Sequence, residues 1–310
     1  MSADRPKISV VGSINMDVVV RCKALPCAGQ TILAESSAEF CGGKGANQAV
    51  AAAKAGADVT MIGCVGNDSY AGRLMRNLLD HGIDCRDVSR CDDCGSGLAV
   101  IAVDESGENS IMVVPGANAR VDGSALQDAR QAIESSDILM VQLEIPVQAV
   151  LEAISIARSA GVRIMLDPAP APGNFPPELL QVDLLCPNES EAAALTVRAV
   201  DTVEQAQDAA MSLVQAGARN VAMTLADRGT LLVSEGRSEM IEPFPVDAVD
   251  TTAAGDAFAG ALAAAWPAAD KLPEAVRFAN AAGALAATRH GAQSSIPSRH
   301  DILNLWKSVQ

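Results

Sequence analysis

The run Val249-Asp250-Thr251-Thr252-Ala253-Ala254-Gly255-Asp256-Ala257-Phe258 sets a carboxylate among small residues. It reads as a strand end, a tight turn and the first turn of an Ala-rich helix. A helix start leaves backbone N–H groups without partners, and its dipole end is positive. Ala254 and Gly255 carry no bulk that would keep an anion away, so the turn can hold a phosphate or a developing oxyanion. Asp256 adds a carboxylate at the same spot. Such a pairing binds phosphate poorly, but it can take a proton from a hydroxyl while the hole neutralises the phosphate under attack. Ala254, Gly255 and Asp256 are therefore the candidate catalytic residues. An acid stabilised by the helix dipole, with the glycine there for close packing, would account for the same residues.

A second segment, Cys41-Gly42-Gly43-Lys44-Gly45-Ala46-Asn47-Gln48-Ala49-Val50, puts its glycines immediately before another Ala-rich helical stretch. It is not a Walker A loop, since no glycine stands five residues before Gly43 and no Ser or Thr follows Lys44. Nor is it the dinucleotide fingerprint, since Gly45 is followed by Ala46, Asn47 and Gln48. Glycines here let the backbone approach a ligand, and Lys44 and Asn47 offer donors.

Together these segments resemble the ribokinase-like family of carbohydrate kinases, from about Val10 to about Pro297. The signatures in family order begin with Gly12-Ser13-Ile14-Asn15-Met16-Asp17, GGKGANQAV from Gly42, and Gln142-Leu143-Glu144. They continue with DPAPAP from Asp167, Pro187-Asn188-Glu189-Ser190-Glu191, Thr224–Gly229, the Asp250–Asp256 turn and Gly291-Ala292-Gln293. The resemblance implies ATP-dependent phosphorylation of D-ribose at its 5-hydroxyl to give D-ribose 5-phosphate. A kinase of the same fold for deoxyribose, fructose or adenosine is the alternative, as is a non-catalytic sugar or nucleotide sensor. A sensor would be expected to lose Asp256 or the glycines, and this chain keeps them.

A sugar offers only hydroxyls, so a specific site needs several buried donors and acceptors. Asn15, Met16 and Asp17 follow the first strand, where an open α/β sheet places its ligand crevice. By resemblance Asn15, Asp17, Asn47 and Glu144 contact the sugar, with Gly43, Lys44, Gly45 and Ala46 closing round it. Asp17 could equally be a turn acid, and Glu144 a helix N-terminal acid before Pro146. The resemblance assigns the nucleotide to Asn188, to the loop Thr224, Leu225, Ala226, Asp227, Arg228 and Gly229, to Gly255 and Asp256, and to Asn280. Glu191 would order Mg²⁺ through water, although Asn188 and Glu191 also fit a helix capping box. Ala226 and Ala253 stand where relatives often carry glycine. A monovalent cation, K⁺, is implied at Asp250, Thr252, Ala286, Arg289, Gly291 and Ser295, mostly through backbone carbonyls.

The chain has 310 residues, 49% hydrophobic and 20% charged, so it can bury a large core. Its net charge of −15 disfavours nucleic acid or an anionic membrane as partner. Aromatic residues make up 3% of the chain, which disfavours a base-stacking nucleoside site. No cationic-then-apolar leader is present, and no apolar run approaches the roughly 18 residues that span a bilayer, so a cytoplasmic protein is expected. Cys91-Asp92-Asp93-Cys94 is a lone CxxC with no nearby His, so zinc is not expected there. Most thiols should be free in a reducing compartment, a redox pair at Cys91 and Cys94 being the alternative.

Apolar runs at Ile8–Val11, Val59–Ile62, Ile138–Val141, Val162–Leu166, Leu184–Cys186 and Val221–Leu225 read as buried strands. Helical stretches lie between most of them. That alternation predicts an α/β fold, a doubly wound and mainly parallel sheet flanked by helices. The chain is read as one domain, 1–310. Segments at about 17–40 and 97–115 alternate like half-exposed strands with no helix between partners, and Ser106-Gly107 suits a hairpin turn. They are expected to form a small antiparallel β lid. The resemblance puts the lid over the sugar and makes it the contact of a homodimer.

Overall fold

The computed structural model describes residues 5–268 and 271–308. Among them the strands are β1 (Lys7–Val11), β2 (Asn15–Arg21), β3 (Ser36–Gly42), β4 (Asp58–Val65), β5 (Asp84–Arg90), β6 (Gly97–Val103) and β7 (Asn109–Val114). They continue with β8 (Ile138–Val141), β9 (Arg163–Leu166), β10 (Leu184–Leu185), β11 (Val221–Thr224), β12 (Thr230–Ser234) and β13 (Arg237–Ile241). The helices are α1 (Lys44–Ala55), α2 (Ala71–Asp80), α3 (Gly123–Asp128), α4 (Arg130–Glu134) and α5 (Val147–Ala160). After them come α6 (Glu189–Thr196), α7 (Val203–Gln215), α8 (Ala254–Ala265), α9 (Leu272–Ala287) and α10 (Arg299–Ser308).

The large sheet runs β13-β12-β11-β10-β9-β8-β1-β4-β5. From β11 to β5 every neighbouring pair is parallel, while β12 and β13 add antiparallel edge strands. Successive side chains of a strand face opposite ways, and both faces are apolar here. Ile8 and Val10 pack with α1, α2, α8 and α9, whereas Val11 packs with α3, α5 and α7. The doubly wound sheet is thus as expected. The sequence reading missed β5, β12 and β13; β5 and β13 carry polar and charged residues along the two sheet edges, whereas β12 is buried beside β13.

The small sheet runs β3-β2-β6-β7. Its pairs β2–β3 and β6–β7 are antiparallel, and a parallel β2–β6 pairing joins them. Strands β6 and β7 lie inside the segment 97–115, while β2 and β3 overrun the segment 17–40 by two residues at each end, and the β6–β7 turn carries Gly107 at a left-handed φ of 88°. The loop from β5 to β6 holds Cys91 and Cys94 with their sulfurs paired, and the other six cysteines are free. No helix among the described residues is long and apolar enough to cross a membrane.

Two close approaches set the site. A Cβ on Gly260 of α8 would lie 2.4 Å from Ala51 Cβ and 2.6 Å from the Gln48 carbonyl of α1, so only glycine lets these helices meet at that distance. A Cβ on Gly42 at the end of β3 would lie 2.0 Å from an oxygen of Asp17, so glycine there makes room for that carboxylate.

Candidate active site

The carboxyl ends of the parallel strands deliver the expected residues to one edge of the sheet, as doubly wound folds do. After β1 come Ser13 to Asp17, after β8 Gln142 to Glu144, after β9 Asp167, after β10 Asn188 and at the end of β11 Thr224. From the opposite side, α1 and α8 point their N-terminal turns at the same edge.

Asp256 lies in the first turn of α8 and is only 7% exposed. Its Oδ2 accepts from Asn47 Nδ2 at 2.9 Å and its Oδ1 from Gln48 Nε2 at 3.1 Å. Asn47 Oδ1 is buried without a hydrogen-bond partner. The residue that caps α8, Ala253, has a left-handed φ of 58°, so this turn is one that glycine would adopt without strain. The Ala254 N–H donates to the Thr251 carbonyl at 3.1 Å, so in this conformation the open donors at the helix start are those of Gly255 and Asp256.

Asp17 stands half-buried on β2. Desolvation, then the nearby Glu144 and Asp256 carboxylates, push its acid up to about 7. Asn15 is buried, and its Oδ1 accepts from Asn118 Nδ2 at 2.6 Å. Glu144 does more than face the site. Its Oε2 accepts from Ser13 Oγ at 2.5 Å and from the Lys44 N–H at 3.1 Å, so it ties the glycine loop to the end of β1. Gly45 and Ala46 donate their N–H groups to Ser13 at 3.3 and 2.9 Å, which fixes the turn into α1. Met16 is fully buried and packs into the core.

A cavity of about 230 Å³ opens beside Asp256, bordered by Lys44, Asp167, Cys186, Glu191 and Gly255. Burial alone would pull the Lys44 ammonium down, but Asp167, Asp256, Glu144 and Glu191 outweigh it and hold the charge on. Burial raises Asp167 to about 7 and raises Glu191, against the opposing pull of Lys44. Glu191 Oε2 also accepts the Asn188 N–H at 2.9 Å, completing a capping box at the start of α6. Cap and cavity wall are therefore the same residue.

A larger cavity of about 750 Å³ continues from the first, with Asn188, Thr224, Thr251 and Gly255 bordering both. Ala226, Asp227 and Gly229 also face it, and Ala226 has a left-handed φ of 50°. Two expected nucleotide contacts do other work. The Arg228 guanidinium pairs with Glu189 and reaches the Asp201 carbonyl, and Leu225 is buried in the core. Asn280 borders the cavity, but its amide is engaged with Thr230 Oγ1 at 2.6 Å and with the Ile241 and Glu242 carbonyls. It ties α9 to β12 and β13.

Of the expected cation residues, Asp250 meets Thr252 and Gly291 directly. Asp250 accepts from the Thr252 N–H and the Gly291 N–H, both at 2.9 Å, and this bonding holds its acid below the usual range despite burial. Ser295 is fully buried and donates to the Ala292 carbonyl, and Arg289 reaches Asp301. Ala286 is buried in α9, with its carbonyl accepting the Arg289 N–H at 3.1 Å.

Sequence reasoning gave no role to Gln48, Asn118 or Asp167. Gln48 and Asp167 lie inside the quoted motifs, and a Gln buried in an Ala-rich helix was the available signal. Asn118 comes from a short 3-10 turn, Gly116–Arg120, after the lid, and nothing in its neighbours marks it.

A family model described as pfkB family carbohydrate kinase matches residues 5–299. A ribokinase of Haemophilus influenzae is 39% identical over 300 residues, covering 96% of this chain and 98% of that protein. A deoxyribokinase of Salmonella typhi is 35% identical over 292 residues, covering 94% and 95%. The structure of Arabidopsis thaliana ribokinase complexed with ribose and ATP matches with a TM-score of 0.91 at 33% identity, over 98% of this chain and 99% of that one.

Proposed function

The chain belongs to the pfkB family of carbohydrate kinases, and on that premise we propose that it transfers the γ-phosphoryl group of ATP to the 5-hydroxyl of D-ribose. One observation carries the reading. The buried carboxylate of Asp256 borders a small polar cavity that opens directly into one large enough for a nucleotide. Asp256 takes the proton of the attacking hydroxyl. The N–H groups of Gly255 and Asp256 stabilise charge on the transferring phosphoryl group, and that of Ala254 joins them if the Thr251 carbonyl releases it. Asn15, Asp17 and Asn47 accept and donate to the sugar hydroxyls, while Glu144 holds the loop from Gly43 to Asn47 in place. Asn188 and the turn from Thr224 to Gly229 hold the phosphates in line, and the lid excludes water as competing acceptor.

Asp167, Glu191 and Asn188 offer hard oxygen donors around a cavity with one cation, Lys44. That set suits Mg²⁺, held by Glu191 through water, which would neutralise phosphate charge. The oxygens of Asp250, Thr252, Ala286, Arg289, Gly291 and Ser295 suit K⁺, which would stiffen the turn carrying the anion hole. We treat both sheets as one domain and place the activity in the cytoplasm, where ATP is supplied. Strand β7 is a free edge of the lid, and Ile111, Met112, Val113 and Val114 on it are each 47–64% exposed, which supports a homodimer through the lid. Ribose-dependent release of ADP from ATP tests the reaction; ADP release indifferent to ribose would contradict it.

A further inference from the structure

Gln48 is fully buried on α1 and has partners at both ends of its amide. Asp167 Oδ2 lies 2.6 Å from its nitrogen and Asp256 Oδ1 lies 3.1 Å away. Two carboxylates on one side require the NH₂ end of the amide there. Gln48 Oε1 must then accept, and Gln142 Nε2 donates to it at 2.6 Å. Gln142 is fully buried, and its own Oε1 finds no partner. One orphaned acceptor in the core is thus the cost of fixing the Gln48 amide in a single orientation.

We propose that Gln48 is a positioning residue for phosphoryl transfer, its amide clamping Asp256 against Asp167 so that the carboxylate keeps one face toward the sugar hydroxyl. This rests on the reading of Asp256 as the base. Asn47 is the other donor to Asp256, but the proposed function also gives its side chain to the sugar hydroxyls. Gln48 is sealed from solvent and sugar, so its bond persists through the reaction. The charged groups around Asp256 are Asp17 of β2, Lys44 of α1, Asp167 after β9 and Glu191 of α6, with Glu144 close to Asp17 and Lys44.

Gln48→Met keeps the length and loses both donors. It is expected to lower kcat roughly ten- to a hundred-fold and leave the ribose KM within about threefold. A kcat unchanged from the parent, or a ribose KM that rises as far as kcat falls, would overturn the proposal. If Gln48→Met does not fold, Gln142→Met decides, because it frees the Gln48 amide to turn while leaving its contacts with Asp256 in reach. The kcat should then fall by a smaller step with the ribose KM held, and an unchanged kcat overturns the proposal. Asp256→Asn separates the two readings. If it stays active, the base assignment falls and this proposal with it; if it is inactive and Gln48→Met keeps the parent's kcat, only the role of Gln48 falls.

Discussion

Asp17→Asn should stabilise the unliganded protein at alkaline pH while weakening ribose binding. Asp17 titrates near 7 in the fold against a usual value of 3.8, because it is desolvated and faces Glu144 and Asp256. Each pKa unit is worth about 1.4 kcal/mol, so the ionised side chain costs the fold up to about 4 kcal/mol. The sign follows from proton uptake. Between about pH 4 and pH 7 the folded chain holds a proton that the unfolded chain has lost, so stability is full below the unfolded value and falls as pH rises through 7. Asparagine never ionises. At pH 8 the variant should be more stable than the parent by about 2–4 kcal/mol, and at pH 4 the two should be alike. Urea unfolding followed by circular dichroism at both pH values measures this. Ribose affinity read by calorimetry at pH 8 should fall roughly ten- to a hundred-fold, since a charged acceptor is lost. For the parent, ribose affinity should fall as pH drops below 7. A variant with no stability gain at pH 8, or the same gain at both pH values, would refute the claim that this carboxylate is held ionised against its surroundings.

Asp256→Asn should bind ribose normally but lose about 10²–10⁴ in kcat, and retention of more than about a tenth of the rate removes it as the base. Ala253→Gly should be neutral or stabilising by up to about 1 kcal/mol, because glycine accepts the left-handed φ at no steric cost; urea midpoints test this, and a clear loss would show that the alanine methyl is needed. Replacing K⁺ by a bulky organic cation at matched ionic strength should lower kcat and leave the ribose KM nearly unchanged, with Asp250→Ala abolishing the response. Equal rates in the two salts would show that the loop from Ala286 to Ser295 binds no cation.

What the sequence revealed was what repeats a physical pattern. Short apolar runs named the parallel strands, because a strand buried on both faces must be apolar throughout. Strands β5 and β13 escaped because edge strands carry charge, as Asp84, Arg86 and Glu239 do. The turn before Asp256 was legible because small residues, an acid and a helix start fall together. Ala226 and Ala253 were noticed as departures from glycine, and only the backbone shows both in left-handed conformation. The roles of Gln48, Asn118 and Asp167 were not legible. They depend on which side chains meet across α1, α8, the start of β2 and the ends of β8 and β9, and each contact spans about a hundred residues or more.

The central claim is phosphoryl transfer to ribose, and its most direct test is ADP release measured with ATP and a panel of ribose, 2-deoxyribose, fructose and adenosine. The account predicts the highest kcat/KM with ribose. Losing the 2-hydroxyl leaves a buried partner unpaired, which should cost deoxyribose at least about tenfold. A higher kcat/KM with deoxyribose, fructose or adenosine, or no ADP release with any of them, would contradict it.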